Sequence, residues 1–472
     1  MSSEVIHKVS EQRSRNMSAI KSKNTKPEIK VRKVLHSMGY RFRLHSKDLP
    51  GSPDIVLPKY KTVIFVHGCF WHRHENCKYA TTPKTREEFW NNKFRSNTER
   101  DLEIHEKIKN LNWRSVVIWE CETKNMKNLR VGVIGVGGIA RTHMPGWKQS
   151  KHTEVVAASD INANALTKWG TDHSISKLYQ DPLELINDAE IDIVDVCRPY
   201  SYHCDLTVAA LNAGKHVICE KPLVSSLEEV DKLSQISKET GKIIFPVFQY
   251  RYGPGFSKLK ALIKSGLAGK PLVASLETHW NRGKEYYSKA WRGTWKGEQG
   301  GAILSHSIHI HDLICMILGP VSNVYAKLNT RVNDIEVEDC AALSIEMKNG
   351  SLVTSSITLG AANDTSRLKF CFEGLTIESA ASPDKPYNPA EDEWKFLPRT
   401  PVTQKQIDDI LLKVKQPKTW YSGMFDEIAK KLDGVTSDEV TLEDSRRSLE
   451  FVTAVYNSSR QNKNINLPIS KD

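Results

Sequence analysis

The sequence predicts a multidomain α/β protein in three parts: a small basic α/β domain held by a structural metal, a doubly wound nucleotide-binding domain, and an α+β domain with an open sheet. Three observations carry this. Residues 1–125 hold 25 lysines and arginines against 14 aspartates and glutamates, a balance of +11, whereas the remainder is even at 42 against 42. Near Asn125 and Met126 a basic stretch rich in histidine and tryptophan gives way to LRVGVIGVGGIA, an apolar strand entering a glycine turn. Beyond about Phe245 the alternation of short strand-like and helix-like runs is replaced by longer β-rich ones. The expected domains are residues 1–125, 126–245 and 246–472, since 472 residues exceed what one hydrophobic core organises.

The first domain's excess charge suits a polyanion, because lysine and arginine gain affinity by releasing phosphate counterions; a merely solvated basic face is the alternative. Between His67 and Cys77 lie three histidines and two cysteines, and Cys121 follows in the strand-like run SVVIWEC. Tetrahedral zinc takes four nitrogen or sulfur ligands, so Cys69, His74, Cys77 and Cys121 would close a site and leave His67 and His72 for chemistry. Ordinary surface histidines and buried thiols are the competing reading. Nine irregularly spaced cysteines argue for thiols rather than a disulfide framework. With no apolar leader and no run approaching a membrane span, a cytoplasmic protein without membrane contact is expected.

In the second domain Gly135, Gly137 and Ala140 fit G-x-G-x-x-A, whose glycines let backbone amides approach a pyrophosphate at a helix N-terminus. Asp160 ends the second strand at the distance of a ribose-binding carboxylate. That charge repels a 2′-phosphate, so NAD is expected rather than NADP. EVVAASD, ALTKWGTDH, DIVDVC, CDLTVAALNAG and HVICEKP then alternate in βαβ order, placing Glu220-Lys221-Pro222 at a strand's carboxyl end, where such folds keep their sites. The third domain shows β-rich runs such as PLVASLETHW and a hairpin signal at Lys348-Asn349-Gly350. Asp312 and the run from Glu277 to Arg282 offer polar and aromatic groups suited to a polyol.

RSRNM at 13–17, LPGSPDIV at 49–56, FVHGCFWHRH at 65–74, FWNNK at 89–93, NTERD at 97–101 and VIWEC at 117–121 resemble, in order, the very-short-patch repair (Vsr) endonucleases over residues 5–122. The resemblance implies a restriction-endonuclease-like core that nicks double-stranded DNA beside a T:G mismatch. Asp54 would hold Mg²⁺ with a main-chain carbonyl at Val66, His72 would activate water, and His67, Glu28 and Asp101 would complete the site. Phe70, Trp71 and Trp90 would wedge into the base stack, or else serve as core. Members of that family usually continue past WEC with a further helical segment, whereas here residues 122–130 lead straight to the next domain.

GVIGVGGIA, AGKHVICEKPL, GGAILSHSIHIHD and SLEFVTAVYNSS resemble the Gfo/Idh/MocA oxidoreductases over residues 128–468. This implies hydride transfer between nicotinamide and a sugar, inositol or related polyol, with Glu220 and Lys221 at the cofactor, Lys221 assisting proton transfer and His309 as acid/base. Ser305 stands where many members carry an aspartate four residues before that histidine. A homo-oligomer through the C-terminal sheet is a further expectation. Two competent sites in one fusion is the leading reading. The alternatives are a DNA-docking module attached to a redox sensor, and an accidental gene joining in which Met126 was once a start codon.

Overall fold

The computed structural model describes residues 23–37, 39–83, 86–123, 129–150, 152–380, 386–415 and 417–469. The motif at 13–17 and the junction at 125–126 lie outside the described residues. The chain forms two compact units, residues 1–127 with 432–436 and residues 128–431 with 437–472.

The first unit is built on a four-stranded sheet ordered β1 (Arg43–Leu44), β2 (Ile55–Leu57), β3 (Thr62–His67) and β4 (Arg114–Trp119). The first three strands are antiparallel, and β4 runs parallel to β3 after a crossover through the helix Glu87–Asn110. Strand residues alternate in direction, so Ile55, Leu57 and Ile64 pack with Val31 on one face while Val56, Val63 and Phe65 meet Ile108 on the other. Burial on both faces explains why IVL and VIFV are apolar throughout. Along Glu87–Asn110, Trp90, Phe94, Asn97, Asp101, Ile104 and Ile108 recur at helical spacing. The last two enter the core, and the earlier four point the same stripe toward the site described below.

The second unit opens with an all-parallel sheet of β5 (Leu129–Ile134), β6 (Thr153–Ser159), β7 (Lys177–Tyr179), β8 (Ile193–Val196), β9 (His216–Cys219) and β10 (Ile244–Pro246). Its spatial order is β10-β9-β8-β5-β6-β7, the doubly wound order in which chain direction reverses between β5 and β8 and opens a crevice there. β7 carries too short an apolar run to be read from sequence. A mixed eight-stranded sheet follows, ordered β17 (Trp394–Pro398), β16 (Leu375–Ser379), β15 (Gly360–Phe372), β11 (Pro271–Asn281), β14 (Leu352–Thr358), β13 (Cys340–Met347), β12 (Val321–Asn329), β18 (Ile465–Asn466). The expected hairpin at Asn349-Gly350 joins β13 to β14, with Gly350 at φ 85°. Helices Ile308–Leu318 and Leu442–Gln461 pack against this sheet.

One expectation is corrected here. The helical run Trp295–Leu318 is long and apolar enough to cross a membrane by length and composition. Its 18-residue window is 83% buried, because the helix lies between β11 and the helix Leu442–Gln461 inside the second unit. All nine cysteines are free thiols.

Two candidate active sites and a candidate metal centre

In the first unit Glu28, His45, Asp54, His67, His72 and Asp101 line one cavity of about 860 Å³. Asp54 immediately precedes β2, and the amide N–H of Val66 on β3 donates to its Oδ2 at 2.7 Å. This N–H bond orients the Asp54 carboxylate at the end of β3, beside Val66. Glu28 is fixed by a reciprocal helix cap: its N–H donates to Thr25 Oγ1 and the Thr25 N–H to Glu28 Oε1, each at 3.3 Å, while Arg32 pairs with Oε2 at 2.5 Å. His45 was missed in the sequence. Pairing of Arg43 with Val56 and Leu44 with Ile55 sets it opposite Asp54, with Nδ1 4.0 Å from Asp54 Oδ1 and Nε2 3.7 Å from Glu28 Oε2. The signal available was the alternating run YRFRL and the apolar run IVL flanking HSKDLPGSPD, which fold back on each other. One donor atom from each of Glu28, His45 and Asp54 lies within 4.8 Å of the others, a spacing that one cation can bridge. Burial raises the Asp54 carboxyl above the usual range, partly offset by the Val66 N–H, and a bound cation reverses that effect.

His72 Nδ1–H donates to Asp101 Oδ2 at 2.5 Å, and its ring stacks on His67 with centroids 3.8 Å apart. Burial, reinforced by His72, holds His67 down at about 4, so it is neutral near pH 7. Asn97 Nδ2 donates to the Trp71 carbonyl at 2.9 Å and pins the turn after β3 to the long helix. Beside it, His74 Nδ1 lies 3.6 Å from Cys69 Sγ and 3.3 Å from Cys121 Sγ, and the donor atoms of Cys69, His74, Cys77 and Cys121 all fall within 4.8 Å of one another. Zn–S near 2.3 Å and Zn–N near 2.0 Å in a tetrahedron put sulfur and nitrogen about 3.5 Å apart, so this set fits zinc with little rearrangement. Burial raises the Cys69 thiol and pushes that of Cys121 up to about 12. Phe70 lies 5.1 Å from Trp71 and 5.5 Å from Trp90, a half-buried cluster resting on buried Phe94. Exposed Phe89, unremarked in the sequence, extends it 5.4 Å beyond Trp90.

In the second unit Gly135 has φ +93°, and a Cβ there would meet the Cys197 carbonyl oxygen at 2.8 Å. Gly137 is the N-cap of the helix Gly138–Gln149, and a Cβ on it meets nothing within 4 Å. That open space lies against unpaired first-turn amides, as a pyrophosphate requires. Ala140 is fully buried on the sheet side. Asp160 accepts from the Val136 N–H at 3.0 Å and the Asn162 N–H at 2.9 Å, which holds it beside the glycine turn. Glu220 directly follows β9, next to Lys221. It is buried, with Oε1 2.9 Å from His143 Nε2 and Oε2 accepting the Lys221 N–H at 3.0 Å, so it acts on the site through Lys221. Burial opposes charge on His143, but Asp195, 2.9 Å from its Nδ1, and Cys197 raise its pKa well above the ordinary value.

Lys221 Nζ donates to the Ser305 carbonyl at 2.6 Å, and burial lowers its pKa. His309 is buried, stacked on Tyr250 at 4.4 Å, and its Nδ1 has no hydrogen-bond partner among the described residues. Burial and the nearby Lys221 charge hold it well below its usual pKa, hence neutral. Lys221 and His309 are thus brought together by the turn at 305–309, to which Ser305 contributes a carbonyl. The polyol-binding expectation fails for Asp312, whose carboxylate is bidentate with Arg251 at 2.6 Å and accepts from Ser448. Burial in a low-dielectric interior demands such pairing. Glu277 pairs with Arg367, His279 with Ser356, and buried Trp280 donates to Ser366, all within the sheet.

Comparison with known proteins follows this division. The family model for the DNA mismatch endonuclease Vsr matches residues 6–78. Models for the oxidoreductase family with an NAD-binding Rossmann fold and for the GFO/IDH/MocA C-terminal domain match residues 129–248 and 256–378. The type II nicking enzyme V.XorIIP of Xanthomonas oryzae pv. oryzae is 49% identical over 110 residues, 23% of this chain and 80% of its own length. Myo-inositol 2-dehydrogenase of Thermotoga maritima is 32% identical over 231 residues, 48% of this chain, which spans 66% of that enzyme. The WlbA dehydrogenase of Bordetella pertussis, solved with NADH and UDP-GlcNAcA, superposes with a TM-score of 0.64 over 73% of this chain and 100% of its own. At 24% identity that likeness concerns the fold.

Proposed function

Because this chain joins a member of the Vsr family of DNA mismatch endonucleases to a member of the GFO/IDH/MocA family of NAD-binding oxidoreductases, we propose that it carries both chemistries: nicking one strand at a T:G mismatch, and oxidising a hydroxyl of a sugar or polyol. The observation that carries the first is the convergence of Asp54, Glu28 and His45 beside the His72–Asp101 pair in one cavity. Asp54, with Glu28 and His45 in reach, would hold Mg²⁺, which would supply charge neutralisation at the scissile phosphate. Asp101 fixes the His72 tautomer with Nδ1 protonated, leaving Nε2 as the base that takes a proton from the attacking water. Neutral His67 stacks on that ring and keeps it in place. Phe70, Trp71 and Trp90 supply the wedge, since unstacking at a mismatch is cheap and Asn97 anchors the turn that carries Phe70 and Trp71 to the helix that carries Trp90. Cys69, His74, Cys77 and Cys121 would hold zinc as a structural staple.

For the second chemistry, Gly135, Gly137 and Asp160 form the dinucleotide seat, and NAD bound there supplies the hydride acceptor. Buried, neutral His309 with its orphan Nδ1 accepts the hydroxyl proton, and Lys221, held on Ser305, stabilises the developing alkoxide. A nicking assay on T:G and matched duplexes tests the first activity. Asp54→Ala should abolish cutting yet spare binding, and binding should fall steeply with salt; a wild-type chain that binds the mismatch in Mg²⁺ and never cuts it removes the proposal.

A further inference from the structure

Beyond β11 the chain folds into a second cavity, of about 700 Å³, whose walls include Arg282, Lys284, Tyr286, Lys289 and Arg292. Glu285 is the one carboxylate among its lining residues. Arg282 and Arg292 are each anchored through Nη1 to a carboxylate outside that lining, Asp364 at 3.0 Å and Glu298 at 3.3 Å, which orients both guanidinium forks. Both stand over the same ring: Arg292 lies 3.9 Å and Arg282 5.5 Å from the Tyr286 centroid. Lys284 and Lys289 are exposed and have no carboxylate partner among the described residues.

This cationic wall adjoins the reacting groups. Tyr286 is 5.6 Å and Trp280 5.3 Å from the His306 ring, and the residue before His306 holds Lys221 through its carbonyl. His306 stands one helical turn before His309 and, like it, has a buried Nδ1 without a hydrogen-bond partner among the described residues. A neutral polyol needs aromatic and hydroxyl-bonding groups but gains nothing from two lysines without carboxylate partners among the described residues beside two oriented arginines. Oriented guanidinium forks are instead matched to planar or tetrahedral oxyanions. We infer that this cavity seats the carboxylate or phosphate of an anionic sugar whose hydroxyl is oxidised at Lys221 and His309, an inference that rests on the oxidoreductase reading above.

Calorimetric titration of the full chain saturated with NADH separates the two ideas, using glucose and myo-inositol as neutral probes, glucuronate as the carboxylate and glucose 6-phosphate as the phosphate. At least one anionic probe should bind ten times more tightly than the neutral ones, and which one does so tells carboxylate from phosphate. Lys284→Gln combined with Lys289→Gln should cut that preference about tenfold, allowing for salt screening, and leave NADH affinity unchanged. Equal affinities for charged and neutral probes, or binding of none of them to an NADH-loaded chain, overturns the inference. Failure of NADH itself to bind overturns the oxidoreductase reading beneath it.

Discussion

Replacing Gly135 and Gly137 separately by alanine should have opposite signatures, though both belong to one glycine motif. At Gly135 the backbone is at φ +93° and the new methyl would sit 2.8 Å from the Cys197 carbonyl oxygen, on the strand-end loop beside β8. Holding alanine in that conformation costs about 1–3 kcal/mol. Forcing the methyl against main chain costs about 1–3 kcal/mol more, and reduced freedom of the unfolded chain returns somewhat less than 1 kcal/mol. A net loss of about 2–4 kcal/mol should lower the melting temperature of the second unit by roughly 5 °C. Gly137 is extended at φ −74°, and its added methyl enters open space, so Gly137→Ala should leave the melting temperature of the unliganded chain unchanged. It should, however, crowd the pyrophosphate seat. NADH at a hundred times its Kd should stabilise the wild-type chain by about 2.7 kcal/mol, and Gly137→Ala should lose most of that. Thermal unfolding with and without NADH, at one scan rate, reads both effects. Full NADH stabilisation of Gly137→Ala would show that the phosphates lie elsewhere, and an unchanged melting point for Gly135→Ala would show that the strain argument is wrong.

Cys121→Ser should release the zinc expected on the cluster, because three ligands on one loop then lack the fourth donor, which the short helix Glu120–Thr123 after β4 carries; metal content of the purified variant equal to wild type refutes the assignment. Lys221→Ala should lower kcat far more than NADH affinity, since its ammonium acts on charge that develops only during reaction, and equal turnover in the two proteins rejects that role. Acid should weaken the second unit through His311, which burial holds at about 3 and which is hydrogen-bonded to Ser355 at 3.0 Å. Its folded pKa is depressed, so the neutral side chain's contribution is intact above about 6.5 and is lost as pH falls, by about 1.4 kcal/mol per unit toward 3. His311→Gln should therefore flatten the acid limb of stability by one proton; an unaltered slope in denaturant titrations at pH 4.5–6.5 counts against this.

The local grammar of the chain was legible because it is set by short-range physics. Glycine at a left-handed turn and alternating apolar strands are fixed by neighbours within a few residues. They placed β5, the glycine turn, the β13–β14 hairpin and the Cys69–Cys77 cluster without reference to the rest of the molecule. Contacts across long sequence separations were set only by the tertiary structure. Register between β1 and β2 brought His45 to Asp54, a pairing no spacing rule encodes. Burial decided whether carboxylates were available: Asp312 was claimed by Arg251 from 61 residues away, and Glu220 by His143, because an unpaired charge in the interior is too costly to leave for a ligand. The same packing placed the basic wall of Arg282 and Arg292 beside His306. Sequence fixes which groups a chain carries and how they are locally held, whereas desolvation and strand register, which exist only once distant segments meet, decide which of those groups remain to do chemistry.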